Sequence, residues 1–400
     1  MKKPFAVLWT PYRAFLKLPD IPTMIATAWL SRLPVGMNAL AILLFEREAL
    51  GNFKTAGSIV GTFFVAMAIA APVFGRLVDR IGPRTPLIVT GILHPLLLIA
   101  LYVATVQGAN FTLLLVFAAA CGFLAPPVTI LARTTWRHRF SDDHNRKMAY
   151  SIDSIMIELN FTIGPLLVAA IIAASNARVA LMVLIAMSAL AVLIYFASPY
   201  PKYWKREAPT ERHLIGPLTD WRLLALFSLT FGLTFCFGLM EVGYPAYATA
   251  LGWVAFGGIL LALYAVGSAV GGFFYGALHL PISLERQFTI SLALMAIPPF
   301  LHVAIDQNVL FAIVAFLAGI FIAPALTAQT LLVTKIAPAK YATEAFTWSS
   351  TFIVTGLGVG MAIGGAIAET YHVKAPFLLA GGVIALMSAL SLMLKPQETK

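Results

Sequence analysis

Arg32, Glu158 and Glu241 are charged residues deep inside apolar runs long enough to span a membrane, a setting where a charge is costly and marks a candidate functional group. Arg32 and Glu158 each stand about ten residues into such a run, or roughly 15 Å along a helix. Their similar depth allows an ion pair near mid-membrane, where each charge offsets the desolvation of the other. Two interpretations stay open: a cavity-lining pair in which Glu158 exchanges a proton or competes for substrate with Arg32, and a permanent structural pair.

A third membrane carboxylate, Glu241, stands in the stretch GLMEVGYPAY, just before Gly243 and Pro245. The sequence offers it no charged partner at that depth. Glu241 is therefore predicted to bind a proton or a cationic or hydroxyl-bearing substrate, unless it reaches to the outer interface as long polar side chains do.

Uncharged polar residues at similar depths add candidates for the same cavity. We expect Asn38, Asn160 and Gln329 to line it, and Asp153, one turn nearer to the cytoplasm than Glu158, to face its inner mouth. The sequence contains no His-Glu-x-x-His cluster and no Gly-x-x-x-x-Gly-Lys-Ser/Thr phosphate loop. We therefore expect no metal site, no cofactor and no enzymatic activity.

One charged stretch, FGRLVDRIGPRTPL, interrupts two apolar runs at Phe74–Leu87. It fits the pattern G-x-L-x-D-R-x-G-R-R through Gly75, Leu77, Asp79, Arg80, Gly82 and Arg84, with Pro83 where the pattern has a basic residue. This stretch resembles the signature loop of the major facilitator superfamily. The resemblance implies twelve helices in two halves of six, and it extends over the whole chain.

The resemblance also implies a role for this loop on the cytoplasmic side. Gly75 would let the loop approach a neighbouring helix, and Gly82 would support a turn with unusual dihedral angles. Asp79 would cap the eleventh helix near Thr343 and Glu344, which would hold the cytoplasmic side shut. A basic turn without a gating role is the alternative. The corresponding stretch of the second half, GALHLPISLERQ, has no aspartate at the matching place, so any latch is expected to be asymmetric.

A second motif lies on the fifth helix, in NFTIGPLLVAA. Gly164 and Pro165 are expected to bend this helix, and the stretch is similar to the antiporter motif of drug-exporting members of the superfamily. The similarity favours export over import.

The elements that position these residues follow from composition. The chain has 400 residues, of which 60% are hydrophobic and 11% are charged, whereas soluble domains carry roughly 25% charged residues. Twelve apolar runs are long enough to span a membrane. They are 22–45, 56–75, 86–106, 109–131, 149–174, 179–198, 222–248, 254–277, 288–305, 308–333, 345–369 and 375–394. We predict an all-α membrane protein of twelve transmembrane helices in two pseudo-symmetric six-helix bundles.

The distribution of basic residues predicts the orientation. Only Arg47, Lys54, Arg178 and Lys374 fall in loops on one side, and apart from Arg32 the other lysines and arginines fall on the other side. This positive-inside pattern predicts that both termini are cytoplasmic. The net charge of +10 therefore indicates orientation and contact with anionic lipids rather than nucleic-acid binding. We expect a multi-pass protein of a bacterial inner membrane.

Two halves are separated by the polar segment 199–221, which we interpret as a cytoplasmic linker between an N-terminal half, 1–198, and a C-terminal half, 222–400. Short matches recur in order between the halves, such as ALG at 49–51 and 250–252, and AYSIDS at 149–154 with AFTWSS at 345–350. A duplicated six-helix unit with a site between its copies is a known transporter design.

Together these features predict a secondary active transporter that moves a small organic solute by alternating access. We expect proton-coupled efflux, that is, an antiporter. The alternative is uptake of a sugar, organic acid or siderophore-like solute by symport or facilitated diffusion. Two classes other than transporters are disfavoured. A membrane-embedded enzyme would need a nucleophile–base set or metal cluster, which the sequence does not show, and a receptor would usually add a signalling domain, for which the loops are too short.

Overall fold

A computed structural model describes residues 13, 15–204, 216–277, 281–338 and 342–394, and the regular elements within these ranges are all helices. The first half contains α1 (Ile21–Leu50), α2 (Phe53–Ile81), α3 (Arg84–Val106), α4 (Phe111–Phe123), α5 (Val128–Arg139), α6 (Asp143–Ala174), α7 (Ala177–Ala197) and the short α8 (Tyr200–Tyr203). The second half contains α9 (Trp221–Ala250), α10 (Val254–Ala277), α11 (Leu284–Met295), α12 (Ile297–Ala304), α13 (Asn308–Gly319), α14 (Ile322–Ile336), α15 (Ala342–Thr370) and α16 (Ala375–Ser391).

The predicted twelve spans are confirmed. Ten helices of the described residues are long and apolar enough to cross a membrane, when α11 with α12 and α13 with α14 each count as one span. The fourth span is divided between α4 and α5, and the twelfth is the shorter apolar helix α16.

Side-chain caps explain where many of these helices begin. Asn52, Asp142 and Asn176 each accept a hydrogen bond from the backbone N–H three residues further on, at 2.8, 2.8 and 3.0 Å. Such caps satisfy N–H groups that have no partner within the helix. The polar residues between apolar runs therefore set the helix starts as well as the loops.

Proline has different consequences in different spans. Pro34 and Pro165 lie within the continuous helices α1 and α6, whereas the fourth span is broken between Phe123 and Val128, where Pro126 and Pro127 are adjacent. Two successive residues without an N–H remove two helical hydrogen bonds, which a single proline does not. The tenth span is interrupted at the corresponding place, after Gly319.

The membrane-spanning helices alternate in direction, so the bundle has two faces. We call the face at which α1 and α9 begin the basic face, because Arg80, Arg84, Arg139 and Lys335 lie near helix ends there. The opposite face is the one at which α1 and α9 end. The sequence predicts that the basic face is cytoplasmic.

Contacts between the two halves run mainly along two helix pairs, α2 with α15 and α6 with α10. The pairs are antiparallel, as shown by Gly57 of α2 lying against Met361 and Gly365 of α15, and by Gly61 lying against Gly358 and Ala362. These two pairs define the interface across which the candidate site residues are distributed.

Candidate functional site

A buried ion pair lies in the N-terminal half towards the basic face. Arg32 of α1 donates from Nη1 to Asp153 Oδ1 of α6 at 2.6 Å, and the two side chains are 2% and 1% exposed. Arg32 Nη2 also donates to the carbonyl oxygen of Thr129 on α5, at 3.4 Å. The pair therefore ties together three helices of this half.

This partner differs from the one that the sequence suggested. Asp153, which was expected to face the inner mouth of the cavity, is paired with Arg32. The side chain of Glu158 lies outside the described residues. The depth of Arg32 was predicted correctly, but hydropathy does not fix the rotation of α6 about its axis. The face of α6 that meets α1 at this depth carries Asp153.

The pair is not fully satisfied. Arg32 Nε is buried without a hydrogen-bond partner, and so is the hydroxyl of Tyr200 on α8. Tyr200 lies close enough to interact electrostatically with both Arg32 and Asp153, and burial raises the pKa of its phenol above the ordinary value. Buried polar atoms without partners are uncommon in native proteins, so this cluster retains capacity to bind a further polar group or water.

A neutral contact occupies the corresponding place in the C-terminal half. Gln329 Nε2 of α14 donates to Ser349 Oγ of α15 at 2.9 Å, and both residues are buried. Ser349 is the counterpart of Asp153 in the matched segments AYSIDS and AFTWSS. The two halves thus carry related polar contacts, one charged and one uncharged.

Two amides predicted from the sequence are buried between α1 and α6. Asn38 and Asn160 are 5% and 3% exposed, and neither Asn38 Oδ1 nor the amide nitrogen and oxygen of Asn160 has a hydrogen-bond partner. The backbones of Gly36 and Gly164 touch beside them, in a contact that leaves no room for a Cβ atom on either residue. The Gly164–Pro165 motif therefore serves first as a close crossing point of α1 and α6.

Glu241 lies on α9, towards the opposite face, and is partly exposed. Within the described residues it has no hydrogen-bond or ion-pair partner. It interacts electrostatically with the phenols of Tyr244 on α9 and Tyr264 on α10. The structure does not bring Glu241 together with the Arg32 pair, because the two lie towards different faces of the membrane.

The segment Gly75–Arg84, predicted to be a loop, is mostly helical. Residues from Gly75 to Ile81 form the last two turns of α2, and only Gly82 and Pro83 separate α2 from α3. Gly82 has a φ of 86° and donates its N–H to the carbonyl oxygen of Val78 at 2.8 Å, which confirms the unusual turn.

The prediction that Gly75 permits a close helix contact is wrong for this conformation. A Cβ atom placed on Gly75 would meet nothing within 4 Å. Leu77, Arg80 and Arg84 are exposed, and the side chain of Asp79 lies outside the described residues. The physical reason is that the close contact between α2 and α15 is made elsewhere along these helices.

The two halves meet instead towards the opposite face. Cβ atoms added to Gly57 and Gly61 would lie 2.6 Å from the Met361 carbonyl oxygen and 2.8 Å from Ala362 Cβ, so the backbones of α2 and α15 are packed together. At the end of this seam, the Phe53 N–H donates to Glu369 Oε2 at 2.9 Å. A carboxylate at a helix N-terminus is favourably placed, because the terminal N–H groups carry partial positive charge.

The pair α6 and α10 closes the same side. Gly258 of α10 packs against Pro165 and Ala169 of α6, in the part of both helices nearer to the opposite face. The named contacts between the halves thus lie towards one face, which is the geometry of a bundle closed at the opposite face.

One buried carboxylate was missed by the sequence interpretation. Glu46 is fully buried near the end of α1, and the hydroxyl of Thr105 donates to its two oxygens at 3.1 and 3.0 Å. The residue follows an apolar run directly and was placed in the loop with Arg47. The signal that could have identified it is the length of the helix, which continues to Leu50.

No group of three or more histidines, cysteines, aspartates or glutamates among the described residues could hold a metal ion. The candidate groups among the described residues are one ion pair, two amides with unsatisfied atoms, one neutral amide–hydroxyl contact and one carboxylate without a partner. Such a set can bind protons and small polar or charged solutes.

Comparison with known proteins extends over the whole chain. The family model described as Major Facilitator Superfamily matches residues 24–280 and 226–400. An uncharacterized MFS-type transporter, y4rN, of Sinorhizobium fredii is 24% identical over 402 residues, which cover 97% of this chain and 98% of the relative.

Parts of the chain are also similar to proteins named for multidrug resistance. The multidrug resistance protein MdtG of Salmonella heidelberg is 29% identical over 170 residues, 41% of each chain, and MdtG of Salmonella arizonae is 33% identical over 123 residues, 30% of each. The chain thus matches less than half of the length of MdtG. Two crystal structures of the nucleoside transporter NupG share the fold, with TM-scores of 0.74 and 0.73, sequence identities of 14% and 13%, and coverage of 94% and 96% of this chain and 99% and 100% of those chains.

Proposed function

The chain belongs to the major facilitator superfamily of membrane transporters, and from this premise we propose that it exports a small organic solute in exchange for protons. Its two six-helix halves would rock about a central site and expose it to each side in turn. The observation that supports this proposal best is that the close contacts between the halves among the described residues, α2–α15 and α6–α10, lie towards one face.

The close packing of α2 and α15 at Gly57, Gly61 and Gly358, which we call the glycine seam, suits a closure that must be reversible. Gly57, Gly61 and Gly358 bring backbones together by close packing without any ion pair between them. Small residues at helix interfaces permit such an approach in membranes. Opening the opposite face would separate this seam and would bring α2 and α15 together nearer to the basic face, where we expect Asp79 to cap α15.

Export, rather than import, is supported by two observations. Part of the chain is similar to MdtG, a multidrug resistance protein, and Gly164–Pro165 is similar to the antiporter motif of exporters. The basic face would be the cytoplasmic face, in a bacterial inner membrane, and the conformation described above would accept solute from the cytoplasm. The alternative function is uptake of a sugar, organic acid or siderophore-like solute, and its observation would contradict export.

Proton exchange is assigned to the membrane carboxylates. Glu158 and Glu241 are the proposed titrating groups, since a carboxylate at membrane depth is costly to ionise and marks a functional candidate. Arg32, Asn38, Asn160 and Gln329 are the proposed polar lining of the solute pathway. Asp153 is paired with Arg32, so Glu158 and Glu241 are the membrane carboxylates to which we assign proton exchange.

The test is a flux assay in proteoliposomes with and without an imposed pH gradient. The solutes are ethidium, fluorescein and N-phenylnaphthylamine, which are cationic, anionic and neutral. We expect gradient-driven movement of at least one solute opposite to the proton flow, and its loss in Glu158→Gln or Glu241→Gln. Glu285→Gln is the matched control, because Glu285 is paired with Lys335 at 2.8 Å near the basic face.

Two results would contradict the proposal. Solute movement in the same direction as the protons would establish symport instead of export. Gradient-driven transport that is unchanged in both glutamate variants would remove Glu158 and Glu241 as proton sites.

A further inference from the structure

We propose that Glu369 is a latch of the opposite face: its carboxylate caps the start of α2 while this face is closed and separates from it when the face opens. The proposal goes beyond the proposed function, because it names a residue that sets the balance between the two conformations. It rests on the alternating access of that function, and not on the direction of transport or on the solute.

The latch is a contact between the two halves of the chain. Glu369 lies in the last turn of α15, in the C-terminal half, and its Oε2 accepts a hydrogen bond from the N–H of Phe53 at 2.9 Å. Phe53 is the first residue of α2, in the N-terminal half. A rotation that separates the halves at this face therefore has to break this hydrogen bond.

Backbone packing holds the carboxylate at this place. Gly365 lies so close to α2 that a Cβ atom on it would collide with the carbonyl oxygen of Phe53 and would stand 3.1 Å from Gly57 Cα. Residues four apart lie on the same side of a helix, so Glu369 follows Gly365 on the side of α15 that meets α2. The start of α2 is therefore within reach of the carboxylate.

The start of α2 favours a negative charge. The first N–H groups of a helix have no partner within it and carry partial positive charge. Asn52, in the same half as α2, accepts from the Thr55 N–H at 2.8 Å, whereas the Phe53 N–H is satisfied from the other half by Glu369. The guanidinium of Arg47 stands over the Phe53 ring, 5.5 Å from its centroid, and adds positive charge nearby. A carboxylate therefore binds here more strongly than a neutral side chain would.

The position of the contact suits a latch that is made and broken repeatedly. Glu369 is exposed, so water can hydrate its carboxylate once the halves separate. A charge at an exposed helix N-terminus contributes only modestly to stability. Such a contact shifts the equilibrium between two conformations without fixing the protein in one of them.

The duplicated pair of helices shows that packing does not require the carboxylate. The pair α6–α10 packs at Gly258 and Ala169, which the ALG and AYSIDS repeats align with the two glycines of the α2–α15 contact. In the same register Glu369 corresponds to Ala173. An uncharged residue therefore suffices at this helix position in one pair, and the charge is an addition in the other.

The antiparallel arrangement of α2 and α15 gives the other end of this pair a matching acid. Near the basic face, Asp79 at the end of α2 is expected to cap the start of α15. Each helix would thus carry, close to its end, an acid that caps the start of the other. Since the two faces close in turn, the two caps favour opposite conformations.

The experiment measures the distance between two spin labels on the full-length protein in lipid nanodiscs by double electron–electron resonance. The labels are attached to cysteines introduced at Gln107 and Leu251, which are exposed at the ends of α3 and α9 on the opposite face. The native Cys121 and Cys236 are buried. Glu369→Gln keeps the size of the side chain and removes its charge, so we expect the ratio of the longer, open distance to the shorter, closed distance to rise about twofold to fivefold.

Two further variants sharpen the result. Glu369→Lys places a positive charge at the start of α2 and is expected to raise the ratio more than Glu369→Gln does. Glu48→Gln is the matched control, because Glu48 Oε2 accepts from the Ala177 N–H at 3.4 Å, at the start of α7 and within the N-terminal half. This cap does not join the halves, so its loss should leave the ratio unchanged.

Two outcomes overturn the latch: no rise of the ratio in Glu369→Gln, or an equal rise in Glu48→Gln. The outcome of the flux assay is separate. A ratio that rises in Glu369→Gln without proton-driven export by the wild type retains the latch and contradicts export, whereas proton-driven export with an unchanged ratio contradicts the latch alone.

Discussion

The two halves of the chain share one scaffold but place their ionisable groups at different depths. Gly51 and Gly252 end α1 and α9 at equivalent positions, with φ of 81° and 72°. In the N-terminal half the buried ion pair of Arg32 with Asp153 lies towards the basic face, and the buried Glu46 lies near the other end of α1. In the C-terminal half the membrane carboxylate is Glu241, about 30 Å along α9 from its beginning, against about 16 Å for Arg32 along α1.

At each of these sites the duplicate half carries uncharged residues. Arg32 corresponds to Leu233, and Asp153 corresponds to Ser349, whose hydroxyl accepts from Gln329. Glu241 corresponds to Leu40, which is buried among apolar residues. Charge is thus not a requirement of the six-helix unit.

This difference bears on whether the buried charges are needed to stabilise the fold or to bind a ligand. A buried ion pair stabilises a protein little compared with apolar residues of similar volume, and the duplicate half shows that the same helix positions accept leucine and serine. The proposal that these charges bind solute or protons is consistent with this difference between the halves. A pathway that passes the Arg32 pair towards one face and Glu241 towards the other meets different chemistry at each end.

The largest effect is expected from converting the N-terminal site to the sequence of its duplicate. Arg32→Leu alone removes the guanidinium from the buried carboxylate of Asp153, and breaking a buried ion pair from one side is expected to cost about 3–5 kcal/mol in the free energy of unfolding. Arg32→Leu combined with Asp153→Ser reproduces Leu233 and Ser349 and is expected to recover most of that stability without recovering transport. Thermal unfolding in detergent and flux in proteoliposomes measure the two quantities. Equal stability of the single and double variants would show that the pair is not the source of the cost.

An intermediate effect is expected at the glycine seam. Gly61→Leu places a branched side chain against Gly358 and Ala362, and such overpacking typically costs about 1–3 kcal/mol. The seam should separate, so that a cysteine introduced at Val65, beside Gly358, becomes accessible to a polar thiol reagent from the opposite face. The native Cys121 and Cys236 are both buried.

Gly75→Leu is the matched control for this experiment, because a Cβ atom at Gly75 has no neighbour within 4 Å. It should leave the labelling of the introduced cysteine unchanged. Equal labelling in both leucine variants would mean that the seam does not close the opposite face.

The smallest effect is expected at the two corresponding segments 74–87 and 276–287, of which only the first carries an aspartate at the matching position. Asp79→Asn removes the charge that is proposed to cap α15, and a charge at a helix N-terminus is worth about 0.3–1 kcal/mol, so transport should slow by about twofold to fivefold. Arg286→Gln, in the second-half stretch without the aspartate, should change the rate by less. A slower rate for Arg286→Gln than for Asp79→Asn would contradict the asymmetric latch.

The fold was predictable because hydropathy adds over a whole run. A shift of two or three residues at a boundary leaves the mean apolar character of a span unchanged, which is why twelve spans were found although α2 continues to Ile81 and α1 to Leu50. The same tolerance explains the two errors at helix ends. Glu46 was assigned to a loop, and Gly75–Ile81 was assigned to a connection, since a charged residue in the last turns of a helix resembles a loop in composition.

The candidate site was predictable only in part. Arg32, Asn38, Asn160 and Gln329 were predicted to line a cavity, and in the structure all four are buried. The partner of Arg32 was not, because an ion pair requires atoms within 4 Å and therefore depends on helix rotation, to which a run of apolar residues is insensitive.

The sequence by itself determined the membrane class, the apolar spans and the division into two six-helix halves. These properties depend on local composition and on the high cost of leaving backbone or charge unsatisfied in lipid. The tertiary structure decided that Arg32 meets Asp153, that Glu241 lies unpaired beside two tyrosines, and that the halves close at the opposite face. Those outcomes depend on angstrom-scale packing between helices and on small free-energy differences between conformations, which the order of residues along one span does not record.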